Sequence, residues 1–238
     1  MTDDKPNYQD EPVLRVKNVA LSYRKNAGLF NPKKYWALKD ISFDLFHGET
    51  LGIIGGNGAG KSTLLRVLAG IIAPDKGEII HDGLNISMLG LNVGFISHLS
   101  GRDNAVLSGM LMGMRRKEIE AKINDIIEFA EMEEFFDEPI RSYSSGMRAR
   151  LGFSVAIQAD PDILLIDETL GVGDARFAKK SSKAMRDKIR SNKTIVLVSH
   201  NENLVRRMCD RVVWIDKGHT MDQGEVAPIM DAYMESMQ

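Results

Sequence analysis

Over residues 13–23 and 41–45 apolar and polar positions alternate with the period of half-buried strands, and the two runs together predict an antiparallel opening sheet. At residue 50 the pattern changes. The apolar run 51–54 enters a glycine cluster and apolar residues return at helical spacing over 62–68, which predicts strand, loop and helix in succession. Residues 118–130 place Ile119, Ile123, Ile126, Ile127 and Ala130 on one helical face, with charged residues on the other. Two short, nearly all-apolar runs, 163–166 and 194–198, read as parallel strands buried on both faces, separated by an amphipathic helix over 175–190. Residues 211–215 and 220–223 flank Asp216-Lys217-Gly218 and predict a hairpin, and a last helix is expected over 227–236. Strands alternating with helices make the fold class α/β with a mixed sheet.

No internal repeat and no linker rich in Pro, Gly or Ser interrupts this pattern, so the chain reads as a single domain, 1–238, with a helical subdomain inserted over residues 95–158. Apolar residues at 43% and charged residues at 27% exclude wholesale disorder. Lys and Arg number 31 against 33 Asp and Glu, a net charge of -2, so there is no global basic excess for a nucleic-acid backbone and no nucleic-acid partner is expected. Cys209 is the only cysteine, which excludes an internal disulfide framework and reads as a small buried hydrophobe in a reducing compartment. The opening MTDDKPNYQDEPV is acidic and polar where a secretory signal needs a basic and then an apolar region. The least polar stretch, 105–114, is interrupted by Ser108, Gly109 and Gly113 and falls well short of the ~20 residues that span a bilayer. A cytoplasmic location is therefore expected, with any membrane role exercised through a partner.

Gly55-Gly56-Asn57-Gly58-Ala59-Gly60-Lys61-Ser62 fits G-x-x-x-x-G-K-[ST] between a predicted strand and a predicted helix, the context that a phosphate loop requires. From this chain's own residue frequencies, roughly one such chain in a hundred would match by accident. Phosphate oxygens must approach the main chain closely, which side chains would block, and the consecutive N–H groups then face an anion at a helix N-terminus. In this reading Lys61 neutralises the β- and γ-phosphates, Ser62 ligates Mg²⁺ and Thr63 adds a phosphate contact. By itself the motif says nucleotide, with ATP and GTP both open.

The run 163–166 ends in Asp167-Glu168, where open α/β sheets place their chemistry. Asp167 can hold the Mg²⁺ shell while Glu168 polarises an attacking water in line with the γ-phosphate. The second buried run ends at Ser199-His200, whose imidazole can sense the γ-phosphate, although a lone histidine is more often structural. Ser144-Ser145-Gly146-Met147 opens a helix that includes Ala149, Leu151 and Val155, which makes a second anion site of the same physical kind; a plain capping turn would explain the serines alone.

In order and approximate spacing, the phosphate loop, Tyr143-Ser144-Ser145-Gly146-Met147, Asp167-Glu168, Asp174 and His200 resemble an ABC-type ATPase over nearly the whole chain. The commonest form of the five-residue signature is LSGGQ. The YSSGM form, with the run from Asp167 to Asp174 and Phe177, resembles the ATP-binding subunits of bacterial polysaccharide exporters, which carry O-antigen, capsule or teichoic acid chains. That resemblance implies ATP and Mg²⁺ as cofactors and a head-to-tail homodimer in which Ser144, Ser145, Gly146 and Met147 act on the partner subunit's ATP, with Asp174 at the dimer seam. It also implies an integral membrane permease subunit, a lipid-linked polysaccharide as transported substrate, a peripheral place on the cytoplasmic face of the inner membrane, and an aromatic stacked on adenine. Tyr23 matches that position, with Tyr35 and Trp36 as rivals.

One departure stands out. ABC ATPases usually carry a glutamine between the phosphate loop and the signature, yet there is no Gln from residue 10 to 157; Ser97 and His98 are the nearest polar candidates. The chain stops at Gln238, so no C-terminal carbohydrate-binding domain is expected. Met110, Met112 and Met114 offer either core filling or an adaptable contact for a membrane partner. Two other functions compete with glycan export: an ABC exporter subunit for a drug or lipid, and a soluble ABC ATPase of translation or DNA repair.

Overall fold

The computed structural model describes residues 11–25, 33–89, 94–167 and 174–237. The chain forms two compact units, the first from Met1–Ile86, Leu165–Glu168 and Asn192–Gln238, the second from Ser87–Leu164 and Thr169–Ser191. The helical insert expected over 95–158 falls inside the second unit.

The first unit opens with β1 (Leu14–Lys25), β2 (Lys33–Leu45), β3 (Thr50–Ile54), α1 (Lys61–Leu68) and β4 (Lys76–Ile80). After β5 (Ile86–Met88), the second unit holds α2 (Gly101–Leu111), α3 (Arg116–Ala121), α4 (Ile123–Ala130), α5 (Ser145–Gln158) and α6 (Ala175–Ile189); between α5 and α6, β6 (Ile163–Asp167) passes into the first unit at Leu165. The chain then returns to the first unit as β7 (Thr194–Val198), α7 (Glu202–Met208), β8 (Arg211–Asp216), β9 (His219–Glu225) and α8 (Val226–Ser236).

Strand order runs β4-β1-β2-β9-β8-β3-β7, with β6 next to β7. β1 pairs antiparallel with β2 and with β4, so the opening sheet has the expected sense. β3 lies parallel to both β7 and β8, and its five residues, like those of β7, are all buried, which is why both read as unbroken apolar runs. β8 and β9 form the expected antiparallel hairpin. The sheet is mixed.

A cluster of Ile54, Val205, Val212, Ile229 and Met230 closes the sheet against α7 and α8, with Trp214 and Tyr233 edge to face at 5.7 Å. At the start of β3, Glu49 is fully buried, accepts from Phe46 N at 2.8 Å and pairs with Arg211 at 3.0 Å. Burial raises its carboxyl above the usual range in spite of these partners. In the second unit Phe129, Phe153 and Phe177, one each from α4, α5 and α6, pack with ring centroids 5.7–6.1 Å apart and join the three helices.

Several elements differ from the sequence reading. β2 begins at Lys33 rather than near 41, because it must run the length of β1 to pair with it out to Lys25. β4, β5 and α7 fall where the pattern predicts no element, and α2 lies within the expected helical insert without a signal of its own; the mostly exposed β4 carries no alternation. The helix expected over 118–130 is two, broken at Lys122, whose backbone caps both α3 and α4 while its ammonium donates to the Gln158 carbonyl at 2.7 Å. The methionines split: Met112 and Met114 are buried and Met110 is exposed. Cys209, expected to be buried, is half-buried: it lies against Gly52 and the Ile54 cluster, and that packing pushes its thiol well up.

Candidate nucleotide-binding site

The phosphate loop leaves buried β3 at Gly55 and enters α1 at Lys61. Two of its glycines are required by the space around them. Gly55 has φ 150° and a Cβ there would lie 2.1 Å from the Ile215 carbonyl oxygen; Gly60 has φ 111° and a Cβ would meet Ala37 O and Leu38 Cδ2, each at 2.7 Å. Gly60 is also the N-cap of α1 and supplies no side-chain acceptor, so the first N–H groups of the helix are left uncapped by any side chain and available to an anion.

Lys61 is buried, and its ammonium donates to the carbonyls of Gly55 at 2.7 Å and Gly56 at 3.1 Å. These two bonds hold the charge across the mouth of the loop and leave a third proton for a ligand oxygen. Ser62 is exposed at the first turn and Thr63 half-buried beside it. The loop is braced from behind. Gly218 N, in the β8–β9 turn, donates to Ala59 O at 3.0 Å, and Gly218 O accepts from Lys39 N at 2.8 Å and Asp40 N at 3.2 Å, so one residue ties the loop to β2.

An open cavity of about 270 Å³ runs from Asn57–Thr63 to Tyr23, Tyr35 and Ala37. Tyr23 and Tyr35 sit directly opposite one another on β1 and β2, so both face this cavity, whereas Trp36 pairs with Ser22 and takes the Lys76 ammonium 5.6 Å from its ring centroid. The Tyr23 hydroxyl is buried with no hydrogen-bond partner among the described residues. The cavity therefore offers a polyanion cradle at one end and an aromatic wall at the other, the two halves of a nucleotide.

β7 and β3 are parallel, so Ser199-His200 and the phosphate loop follow strands of the same direction; β6, beside β7, ends at half-buried Asp167. His200 is exposed, and Ser199 is buried with its hydroxyl accepting from Asn201 N at 3.0 Å. Glu168 lies outside the described residues.

The signature stands in the second unit. Ser144 is the N-cap of α5 and its hydroxyl oxygen accepts from Met147 N at 3.2 Å, so the capping-turn reading holds as local structure. Ser144 and Ser145 remain exposed, Gly146 and Met147 half-buried, and a Cβ on Gly146 would meet only Ser144 Oγ at 3.7 Å. Tyr143 anchors the turn: it is buried, its hydroxyl donates to Phe135 O at 2.6 Å, and burial pushes its pKa up to about 12. Arg148 closes the turn by donating to Tyr143 O at 3.0 and 3.2 Å. Asp174 is exposed at the N-cap of α6.

Three supporting residues carry no sequence signal for that role: Gly218, legible only as the hairpin turn, Arg150 beside Asp174, and Asn104. Asn104 is fully buried; its Nδ2 donates to the carbonyls of Ile96, Leu99 and Ser100, and its Oδ1 accepts from Ile96 N at 2.7 Å. It clamps the segment that presents Ser97 and His98 to solvent.

Residues 38–171 match the sequence profile of ABC transporters. The chain is 46% identical to the O-antigen export system ATP-binding protein RfbB of Klebsiella pneumoniae, over 95% of this chain and 99% of that protein. It is 43% identical to the teichoic acids export ATP-binding protein TagH of Lactococcus lactis subsp. lactis, over 95% of this chain and 48% of that protein. Among solved structures, the dimeric post-hydrolysis state of the ATP-binding cassette MJ0796 bound to ADP and Pi superposes with a TM-score of 0.70 at 23% identity, over 90% of this chain and 98% of that one, which shows a shared fold. On its loop, its signature and these relatives, the chain belongs to the ABC transporter family as an ATP-binding subunit.

Proposed function

We propose that this protein is the ATP-hydrolysing motor of an exporter of cell-surface polysaccharide, working as a homodimer on the cytoplasmic face of the inner membrane with a separate integral membrane subunit and a lipid-linked polysaccharide as cargo. The observation that carries this reading is the 46% identity to an O-antigen export ATP-binding protein across 99% of that protein's length, in a chain whose phosphate loop is a complete anion cradle. No helix among the described residues is long and apolar enough to cross a membrane, in keeping with a separate membrane subunit.

In this mechanism the triphosphate lies on the uncapped N–H groups of α1, with Lys61 neutralising its β- and γ-oxygens and Thr63 adding a hydroxyl. Tyr23, with Tyr35 beside it, receives the adenine. The donor set of Ser62 and Asp167, one hydroxyl and one carboxylate, suits Mg²⁺, which would spread the charge that develops on the transferred phosphoryl group. Glu168 draws the proton from the attacking water and His200 senses the γ-phosphate. The exposed Ser144 and the half-buried Gly146 complete the site of a second copy set head to tail, with Asp174 at the seam, so one subunit alone turns over poorly. ATP favours the closed dimer and ADP the open one, and that difference in affinity drives the membrane subunit.

The test is genetic and chemical together. In a strain lacking this gene, polymer should accumulate inside the cell and return to the surface with the wild-type gene but not with Glu168→Gln. The purified Glu168→Gln protein should bind ATP normally and hydrolyse it at least ~10²-fold more slowly, the loss of a general base. Surface polysaccharide that is unchanged in the deletion strain, in a cell with no second exporter, would overturn the cargo and leave a drug or lipid as the substrate class.

A further inference from the structure

Arg150 lies on α5, in the second turn of the helix that the signature opens, and its guanidinium serves three neighbours within the second unit. It is ion-paired to Asp174, stands 4.0 Å from Glu131, and lies 5.5 Å from the ring centroid of Phe177. Asp174 divides its carboxylate between two tasks: Oδ1 accepts from Arg176 N and Phe177 N at 3.0 Å each and so caps α6, while Oδ2 takes Arg150. Glu131, left-handed at φ 55° at the end of α4, is held in turn by the Lys180 ammonium at 3.1 Å. One side chain from within α5 therefore reaches the end of α4 and the start of α6, beside the aromatic cluster that packs the three helices.

An ion pair with this much exposure contributes little to stability, so its consequence is sought in geometry. We propose that Arg150 is a positioning residue of the composite nucleotide site: it makes the signature helix and the Asp174 turn a single rigid body, so that the surface offered to a partner's nucleotide and the residue at the seam keep one fixed spacing. This rests on the reading above that the signature acts on a second copy's ATP. Arginine is needed for the role, because a planar fork can pair with carboxylates at its edge while its face covers the Phe177 ring, and a lysine ammonium cannot do both.

The experiment uses the full chain in the Glu168→Gln background, measuring ATP-dependent dimerisation by sedimentation and ATP binding by the monomer with a fluorescent analogue. Arg150→Ala is expected to weaken the ATP-loaded dimer by about tenfold or more while monomer binding stays within about twofold; Arg150→Lys should recover only a minor part. Asp174→Ala should weaken the dimer too, and adding it to Arg150→Ala should cost much less than the product of the two, since both cut the same link. Should Arg150→Ala fail to fold, Arg150→Lys and Asp174→Ala carry the same test. Full recovery by lysine, multiplying single effects, or an Arg150→Ala dimer as tight as its parent would overturn the inference. A parent that forms no ATP-dependent dimer would overturn the head-to-tail reading and this inference with it, whereas a normal parent beside an undisturbed Arg150→Ala overturns this inference alone.

Discussion

At the phosphate loop a single methyl group is a probe of the chemistry. Gly60 combines a left-handed φ of 111° with backbone and side-chain atoms 2.7 Å from where a Cβ would stand, so Gly60→Ala must displace either the loop or β2. It should reduce affinity for ATP at least tenfold and lower folding stability by about 1–3 kcal/mol, measured by nucleotide titration and urea unfolding. Gly58→Ala, with φ 78° but nothing within 4 Å, carries backbone strain without the clash and should bind nucleotide better than Gly60→Ala does. Residues of this kind are legible in a sequence because the motif is local: eight consecutive positions supply cradle, charge and hydroxyl. Gly218, Arg150 and Asn104 escape notice in their supporting roles for the opposite reason, since the groups that give them meaning are far away in the chain or are plain backbone carbonyls.

Elements were readable where burial is complete and ambiguous where it is partial. β3 and β7, buried at every position, announce themselves as apolar runs, whereas β4, mostly exposed, has no pattern to find, and the break at Lys122 is hidden because the apolar face of α3 continues in phase into α4. The turn before α5 was legible as an anion site and a cap together, yet its anchor was not: Tyr143 reads as one letter of the signature and acts as a buried strut to Phe135 O. Tyr143→Phe should cost about 1 kcal/mol at neutral pH, the net value of the lost bond plus an unpaired carbonyl. The pH dependence has a definite sign. The unfolded phenol ionises near 10.0 and the folded one near 12, so the fold binds the proton more tightly and the tyrosine's contribution is present below 10.0 and disappears as pH rises through about 12. Unfolding curves at pH 7 and at alkaline pH should show wild type losing its advantage over Tyr143→Phe across that interval.

For the whole molecule, the working unit proposed here is two copies, and the prediction belongs to the exposed face of the signature. Ser144→Arg places a long cation where the second copy's nucleotide and loop would approach; it should leave ATP binding by the monomer within about twofold and abolish the ATP-loaded dimer of the Glu168→Gln protein in sedimentation. A persistent dimer would remove the signature from the interface. Within one chain, the brace on the phosphate loop has a different consequence. The loop is made of residues 55–62, but the peptide that steadies it is Gly218, and β3, from which it springs, pairs with strands at 194–198 and 211–216. Contacts of such sequence separation form late, and domains emerge from the ribosome N-terminus first. When residue 62 leaves the ribosome, more than 150 residues that include its brace and both flanking strands are still to be translated, so a chain truncated before residue 211 is expected to bind ATP far more weakly than the full chain in a nucleotide titration.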